Sequence, residues 1–354
     1  IKTKEAESNT LEKERETLWA KIPNLPSDDT PVGKDDSRNQ VVREWGKSRE
    51  FDFEPKDHAV LGEALGLIDS ERAGEVSGTR FAYLKGGLVE LQFALIQYVL
   101  KTVTDESILK PIAEKIEENY PTKPFVPVLP PVIIRPEIMQ KMARLEPKEE
   151  RYHLDQDDLY LVGSAEHTLG PLHMNQTLQE KDLPARYIGY STSFRREAGS
   201  YGKDTKGILR LHQFDKLEFE SFTIPEHGLK EQEFLVALQE YMVQQLGIPY
   251  RVVITTTGDQ GDPDARHLDI EMWMPGQNKY RETHSADYMT DYQARRLGTR
   301  VRRANGMELV HMNDATAFAM SRTMIAIMEN YQTKEGTITI PDVLRPYINK
   351  ERLG

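Results

Sequence analysis

Between Phe194 and Glu218 the chain reads F-R-R-E-A-G-S-Y-G-K-D-T-K-G-I-L-R-L-H-Q-F-D-K-L-E, which places arginine, glutamate and a phenylalanine at regular spacing. A two-residue strand period puts Arg210, His212, Phe214, Lys216, Glu218 and Glu220 on one face, with Leu209, Leu211, Leu217 and Phe219 on the other. By the same parity Arg195 and Glu197 share a face of a preceding strand. Guanidinium groups pair with phosphate oxygens, and a flat ring can stack on a base, so this platform suits a nucleotide. The competing reading is a solvated sheet face laced with weak ion pairs, the commoner fate of alternating charge. Phe214 weighs against it, because a large apolar ring on a wet charged face has no structural purpose there.

Two strands must carry these groups. Residues 187–222 alternate β-branched and aromatic side chains with polar ones, and Gly199, Gly202 and Gly207 punctuate the middle, which predicts a hairpin with a long loop. The loop residues Lys203, Asp204, Thr205 and Lys206 read as a flexible basic lid. Further strands are expected at Tyr250–Thr255 and Leu268–Met274, joined by a turn at Gly258–Pro263. Helices are expected at Leu88–Val103 and Leu229–Leu246 from the spacing of their apolar residues. A final apolar stripe, Ala317, Met320, Met324, Ile327, Met328 and Tyr331, predicts a largely buried helix, in which Arg322 would need an anion: a fixed carboxylate or a ligand phosphate. Ile22 to Gly33 is a proline-rich connector that separates the charged, helix-prone first 21 residues from the rest.

With 354 residues, 38% of them hydrophobic, the chain can bury one large core or two small ones. No apolar run approaches the ~20 residues that span a bilayer, so membrane integration is not expected. The chain has no cysteine, which excludes disulfides, thiol nucleophiles and thiolate zinc sites. A net charge of −11 argues against a uniformly basic nucleic-acid binder. Arg295, Arg296, Arg300, Arg302 and Arg303 are nevertheless clustered, and form either a local positive patch or a charged surface paired with acids from elsewhere. Gly46-Lys47-Ser48 lacks the first glycine and the feeding strand of a phosphate-binding loop.

The phrase F-R-x-E, a glycine-rich loop, then R-L-H-Q-F-x-K-x-E resembles motif 2 of the class II aminoacyl-tRNA synthetases, in wording closest to the seryl-tRNA synthetases. Other stretches resemble the same family in order. Phe125 to Ile134, with Pro130-Pro131, resembles motif 1, which implies a homodimer; Leu159 to Glu166 resembles the strand and Thr-x-Glu loop, with Ser164 where threonine is usual. Val310 to Gln332 resembles motif 3. The resemblance implies an α+β fold: a class II synthetase catalytic domain, mostly antiparallel sheet flanked by helices, over residues 22–354. Residues 1–21 would be the end of an N-terminal helical arm that grips tRNA.

It also implies a reaction, in which serine and ATP give seryl-adenylate and the tRNA-Ser terminal hydroxyl then takes the acyl group in the cytoplasm. By family position, Arg195, Glu197, Arg210, Phe214, Glu282 and Arg322 would bind ATP, with Arg195 and Arg322 catalytic. Ser164, Glu166, Arg195, Glu218 and Thr316 would bind serine, and Glu282 and Ser285 would hold Mg2+. The family commonly reads E-x-S-S-C-S-N where this chain has Glu282-Thr-His-Ser-Ala-Asp-Tyr288, and asparagine where it has Asp314. These departures support one alternative, a catalytically altered paralogue of the family. A second is an amino acid:carrier protein ligase, against which the missing cysteine counts.

Overall fold

The computed structural model describes residues 2–19, 21–198 and 206–354. Gly199, Gly202 and Lys203–Thr205 of the expected lid lie outside the described residues, and Lys206 is exposed. Eight strands form the main sheet: β1 (Gln40–Trp45), β2 (Val126–Val128), β3 (Ala185–Phe194), β4 (Gln213–Thr223), β5 (Tyr250–Ile254), β6 (Arg266–Met274), β7 (Lys279–Tyr288) and β8 (His311–Ala319). Their order is β1-β5-β6-β7-β8-β4-β3-β2. Every pairing is antiparallel except β2 with β3. The expected mostly antiparallel α+β architecture is what the chain adopts.

The period-2 pattern decides which face is core. On β6, Leu268, Ile270, Met272 and Met274 are buried in the main hydrophobic cluster, while His267 and Asp269 point to the opposite face. After helix α1 (Lys2–Trp19), four helices cover the apolar face: α2 (Gly87–Val103), α3 (Glu106–Ile116), α4 (Gly228–Gln245) and α5 (Met320–Asn330). Leu91 and Leu95, Phe234 and Leu238, and Met324 and Met328 reach the same cluster as Leu217 and Phe219 of β4. The other face is left to carry charge.

Three details differ from expectation. The first hairpin strand stops at Phe194, where the Arg195 N–H donates to the His212 carbonyl oxygen (3.0 Å) and ends the pairing. Glu197 then adopts a left-handed φ of +53° rather than strand geometry. Leu209 and Leu211 are buried but precede β4, which begins at Gln213. The last helix starts at Met320, because Ala317 belongs to β8.

Two bulges set up the opposite face. In the β6–β7 ladder Ile270 pairs with His284 and Glu271 with Glu282, so Thr283 is an extra residue. In the β4–β8 ladder Leu217 pairs with Phe318 and Glu218 with Thr316, so Ala317 is extra. Residues three apart on a regular strand face opposite ways; the bulge at Thr283 lets Glu282 and Ser285 line the same cavity.

A buried ion pair clamps the far end of the hairpin. Arg186 on β3 meets Glu231 on α4 through Nε–Oε1 (2.6 Å) and Nη2–Oε2 (2.8 Å), both side chains 0% exposed. Tyr120 and Ser221 hydroxyls donate to the same carboxylate, and the guanidinium lies 4.2 Å from the Phe234 ring centroid. Removing one partner strands a charge in a low-dielectric interior. Glu231→Gln is expected to cost about 3–5 kcal/mol of stability in urea unfolding. A loss below ~1 kcal/mol, the scale of an exposed pair, would mean that water reaches Arg186.

Candidate active site

On the charged face a cavity of ≈ 310 Å³ opens, of a size that suits a small molecule. Arg195, Glu197 and Arg210 reach it from the ends of the hairpin, Phe214 and Lys216 from β4, and Glu282 and Ser285 from β7. Thr316 of β8, Arg322 of α5 and Glu166, at the start of the helical turn Glu166–Leu169, complete the expected set. Nine of the eleven residues singled out in the sequence thus line one cavity. Ser164 and Glu218 do not. Both are 0% exposed and sit beneath Lys216, whose Nζ lies 2.5 Å from Glu218 Oε2 and 3.2 Å from Ser164 Oγ.

The cations are held in place by acids. Arg195 donates from Nε to the Gly163 carbonyl oxygen (3.1 Å), and its guanidinium carbon lies 5.4 Å from the Phe214 ring centroid. Arg210 Nη1 donates to Glu197 Oε2 (2.7 Å). Arg322 is less buried than its helix predicts, with 24% of its side chain exposed, and its Nη1 donates to Glu282 Oε1 (2.9 Å). A guanidinium carries five donors, so each arginine can hold a carboxylate and still turn N–H groups toward an anionic ligand. Ser285 Oγ lies 3.2 Å from Thr316 Oγ1.

Acids dominate the other end. Burial raises the Glu166 carboxyl, but Arg144, Lys216 and His167 outweigh it and hold it down to about 2. Glu218 goes the other way: burial pushes it up to about 7, with Lys216 opposing and Glu166 repelling. The two carboxyls are thus pushed in opposite directions, which keeps the cavity-lining Glu166 ionised. His267 is largely shielded from water, with 17% of its side chain exposed, yet Asp287 on Nδ1 and Asp269 on Nε2 keep it protonated well above the usual imidazole range.

Arg144 has no counterpart among the residues picked from the sequence. Its side chain, 13% exposed, meets Glu166 (3.2 Å), Asp314 (3.1 Å), Asp287 (3.3 Å) and Asp264 (3.7 Å). No local pattern marks it, since Asp314 is 170 residues away. Two carboxylate clusters have metal-like spacing, Asp264 with His267 and Asp287, and Glu166 with Glu218 and Asp314. Arg144, Lys216 and protonated His267 already neutralise much of their charge. Glu282 and Ser285 offer hard oxygen donors open to the cavity, the set that magnesium prefers.

Two of the five clustered arginines pair with acids. Arg303 meets Glu180, Glu226 and Glu308, and Arg295 meets Asp291. Arg295 and Arg296 also lie over the ring of Trp19 (5.4 and 4.5 Å). Arg300 and Arg302 remain exposed.

Comparison with known proteins yields one family. The family described as tRNA synthetase class II core domain (G, H, P, S and T) matches residues 149–331. A serine–tRNA ligase of Fervidobacterium nodosum is 41% identical over 350 residues, 98% of this chain and 78% of the relative. The crystal structure of seryl-tRNA synthetase from Pyrococcus horikoshii complexed with ATP superposes with a TM-score of 0.90 at 39% identity, covering 99% of this chain and 79% of that one. The cytoplasmic serine–tRNA ligase of Naegleria fowleri in complex with AMP gives a TM-score of 0.88 at 33% identity, covering 100% and 81%.

Because the folded-state pKa of Glu218 is raised, the folded protein binds its proton more tightly than the unfolded chain, and the group's contribution to stability falls as pH rises toward about 7. Glu218→Gln removes that dependence. Thermal unfolding should show the variant gaining on the parent between pH 5 and pH 8; a difference independent of pH would show that Lys216 holds Glu218 ionised throughout.

Proposed function

The chain belongs to the serine–tRNA ligases of the class II synthetase family, and on that premise we propose how its own residues divide the work. The enzyme joins serine to tRNA at the expense of ATP. Serine's carboxylate oxygen attacks the α-phosphorus and pyrophosphate leaves; the terminal ribose hydroxyl of tRNA-Ser then attacks the carbonyl carbon and AMP leaves. No protein nucleophile is required, so catalysis is positional and electrostatic.

The observation that carries this reading is the lining of a single cavity, which brings together an aromatic shelf, three arginines and a group of acids. Phe214 stacks on adenine while Glu197 orients it, and Arg195, placed over the Phe214 ring, draws charge from the α-phosphate as the bond forms. Arg210 and Arg322 meet the outer phosphates. Glu282 and Ser285 would hold Mg2+, which supplies charge neutralisation on the phosphates when bound. Glu166 faces the amino acid's ammonium directly. Glu218 and Ser164 act from beneath, through Lys216, and Thr316 tests for the hydroxyl.

Assembly follows the same reading. The helix Lys2–Trp19, with Leu11 and Leu18 64% and 65% exposed, is the base of the tRNA-gripping arm, and residues 22–354 form the catalytic domain. The edge strand β2 and its Pro-Pro extension expose Val126 and Leu129 (54% and 81%), apolar surface that a second copy would cover in a homodimer. Among the described residues no helix is long and apolar enough to cross a membrane, and the reading places the enzyme in the cytoplasm. The carrier-protein alternative gains no support, since the relatives that align over nearly the whole chain carry the serine–tRNA ligase name.

Serine-dependent ATP–pyrophosphate exchange tests the assignment, and exchange no faster than without amino acid would establish the altered-paralogue alternative instead. Alanine should be used ~10⁴-fold less well than serine, because it leaves polar groups unpaired. Phe214→Ala should raise the KM for ATP roughly tenfold or more, the scale of a lost base–aromatic stack, with the KM for serine nearly unchanged. An equal rise in both would remove Phe214 from the adenine site.

A further inference from the structure

We infer that Arg144 is a positioning residue for the serine pocket, acting through Glu166 and Asp314, and that Arg144, Asp287 and Asp314 form one charge-coupled unit. The inference rests on the assignment of this cavity to serine made above. Four chain segments meet at this guanidinium: the Glu166 turn, the turn before β6 at Asp264, β7 at Asp287 and β8 at Asp314. Three of the four contacts lie close to a residue with a substrate role. Asp314 is two residues from Thr316 and Asp287 two residues from Ser285, on the same strand faces, and Glu166 itself meets the ammonium. Arg144 is therefore a cross-link between the strands and the turn that must converge on one small amino acid.

Charge explains why the unit must change together. Asp314 is 1% exposed and Asp264 2%, and burial with neighbouring acids raises both carboxyls above their usual range. Among the described residues Arg144 is the one lysine or arginine within ion-pair distance of Asp314. Lys216 is committed to Glu218 and Ser164. The arginine is itself held by its backbone, whose carbonyl oxygen accepts from Arg151 Nε (2.9 Å). Positions 287 and 314 are also where the sequence departs from the small polar residues that its resemblance predicts. The two acids are bound by one arginine, so the three side chains act as one electrostatic unit.

A network that served stability alone would tie the same strands together without favouring one substrate. Steady-state exchange kinetics distinguish the two roles, with serine and ATP varied separately for the parent, Arg144→Gln, Asp314→Asn and the double variant. Arg144→Gln should raise the KM for serine ~10–100-fold, the range of coupling within one ionic network, and move the KM for ATP less than ~3-fold. Adding Asp314→Asn, which takes away the carboxyl left without its arginine beside Glu166 and Asp287, should recover ~10-fold or more of the serine KM. An unchanged serine KM in Arg144→Gln, parallel rises for serine and ATP, or a double variant no better than the single would each overturn the inference. Should Arg144→Gln fail to fold, Arg144→Lys replaces it, since an ammonium cannot span four carboxylates; the same KM split supports the inference and its absence defeats it. Failure of the parent to show serine-dependent exchange would instead count against the functional assignment, and is read before any variant.

Discussion

Charges fixed on a pleated surface and partly shut off from water must find opposite charges within a few ångströms, and the working face of this sheet is arranged under that constraint. Helices α2 to α5 occupy the apolar face, and the side chains of the cavity project to the other side. There the arginines and acids sort into pairs. Arg322 holds Glu282, Arg210 holds Glu197, Lys216 holds Glu218, and Arg144 gathers four carboxylates. The same rule applies at the opposite end of the hairpin, where Arg186 and Glu231 are tolerated in the interior because hydroxyls and carbonyls satisfy what remains of their hydrogen bonding.

Pairing also accounts for the polarity of the cavity. The pairs that involve Arg210 and Arg322 lie partly open to solvent and leave donors over, which suits an anionic ligand. Around Arg144 the acids outnumber the cations, which suits an ammonium. On the proposed reading, the nucleotide's phosphates lie against the first group and the amino acid against the second. Backbone irregularity contributes as much as charge. The bulges at Thr283 and Ala317 turn side chains whose spacing would otherwise place them on opposite faces toward a common point.

Much of this was legible in residue order. The two-residue period gave the core face of β4, with Leu217 and Phe219 inward, and the placement of Phe214, and the motif spacing identified nine of the cavity-lining groups. Three features escaped. Glu197 was expected on a strand, but reaches Arg210 from a left-handed turn beyond the end of β3. Glu218 and Ser164 proved to lie beneath Lys216, because strand parity says which way a side chain points and not how deep its neighbours bury it. Arg144 was invisible, since its partners come from four distant segments.

The sequence alone determined the elements, their inward faces and the chemical class of the site, because hydrophobic period and local motif are properties of neighbours along the chain. Tertiary structure alone decided which charges neutralise which. Whether Asp314 is a liability or a bound partner depends on an arginine 170 residues away, and electrostatic energy depends on distance through space rather than along the backbone.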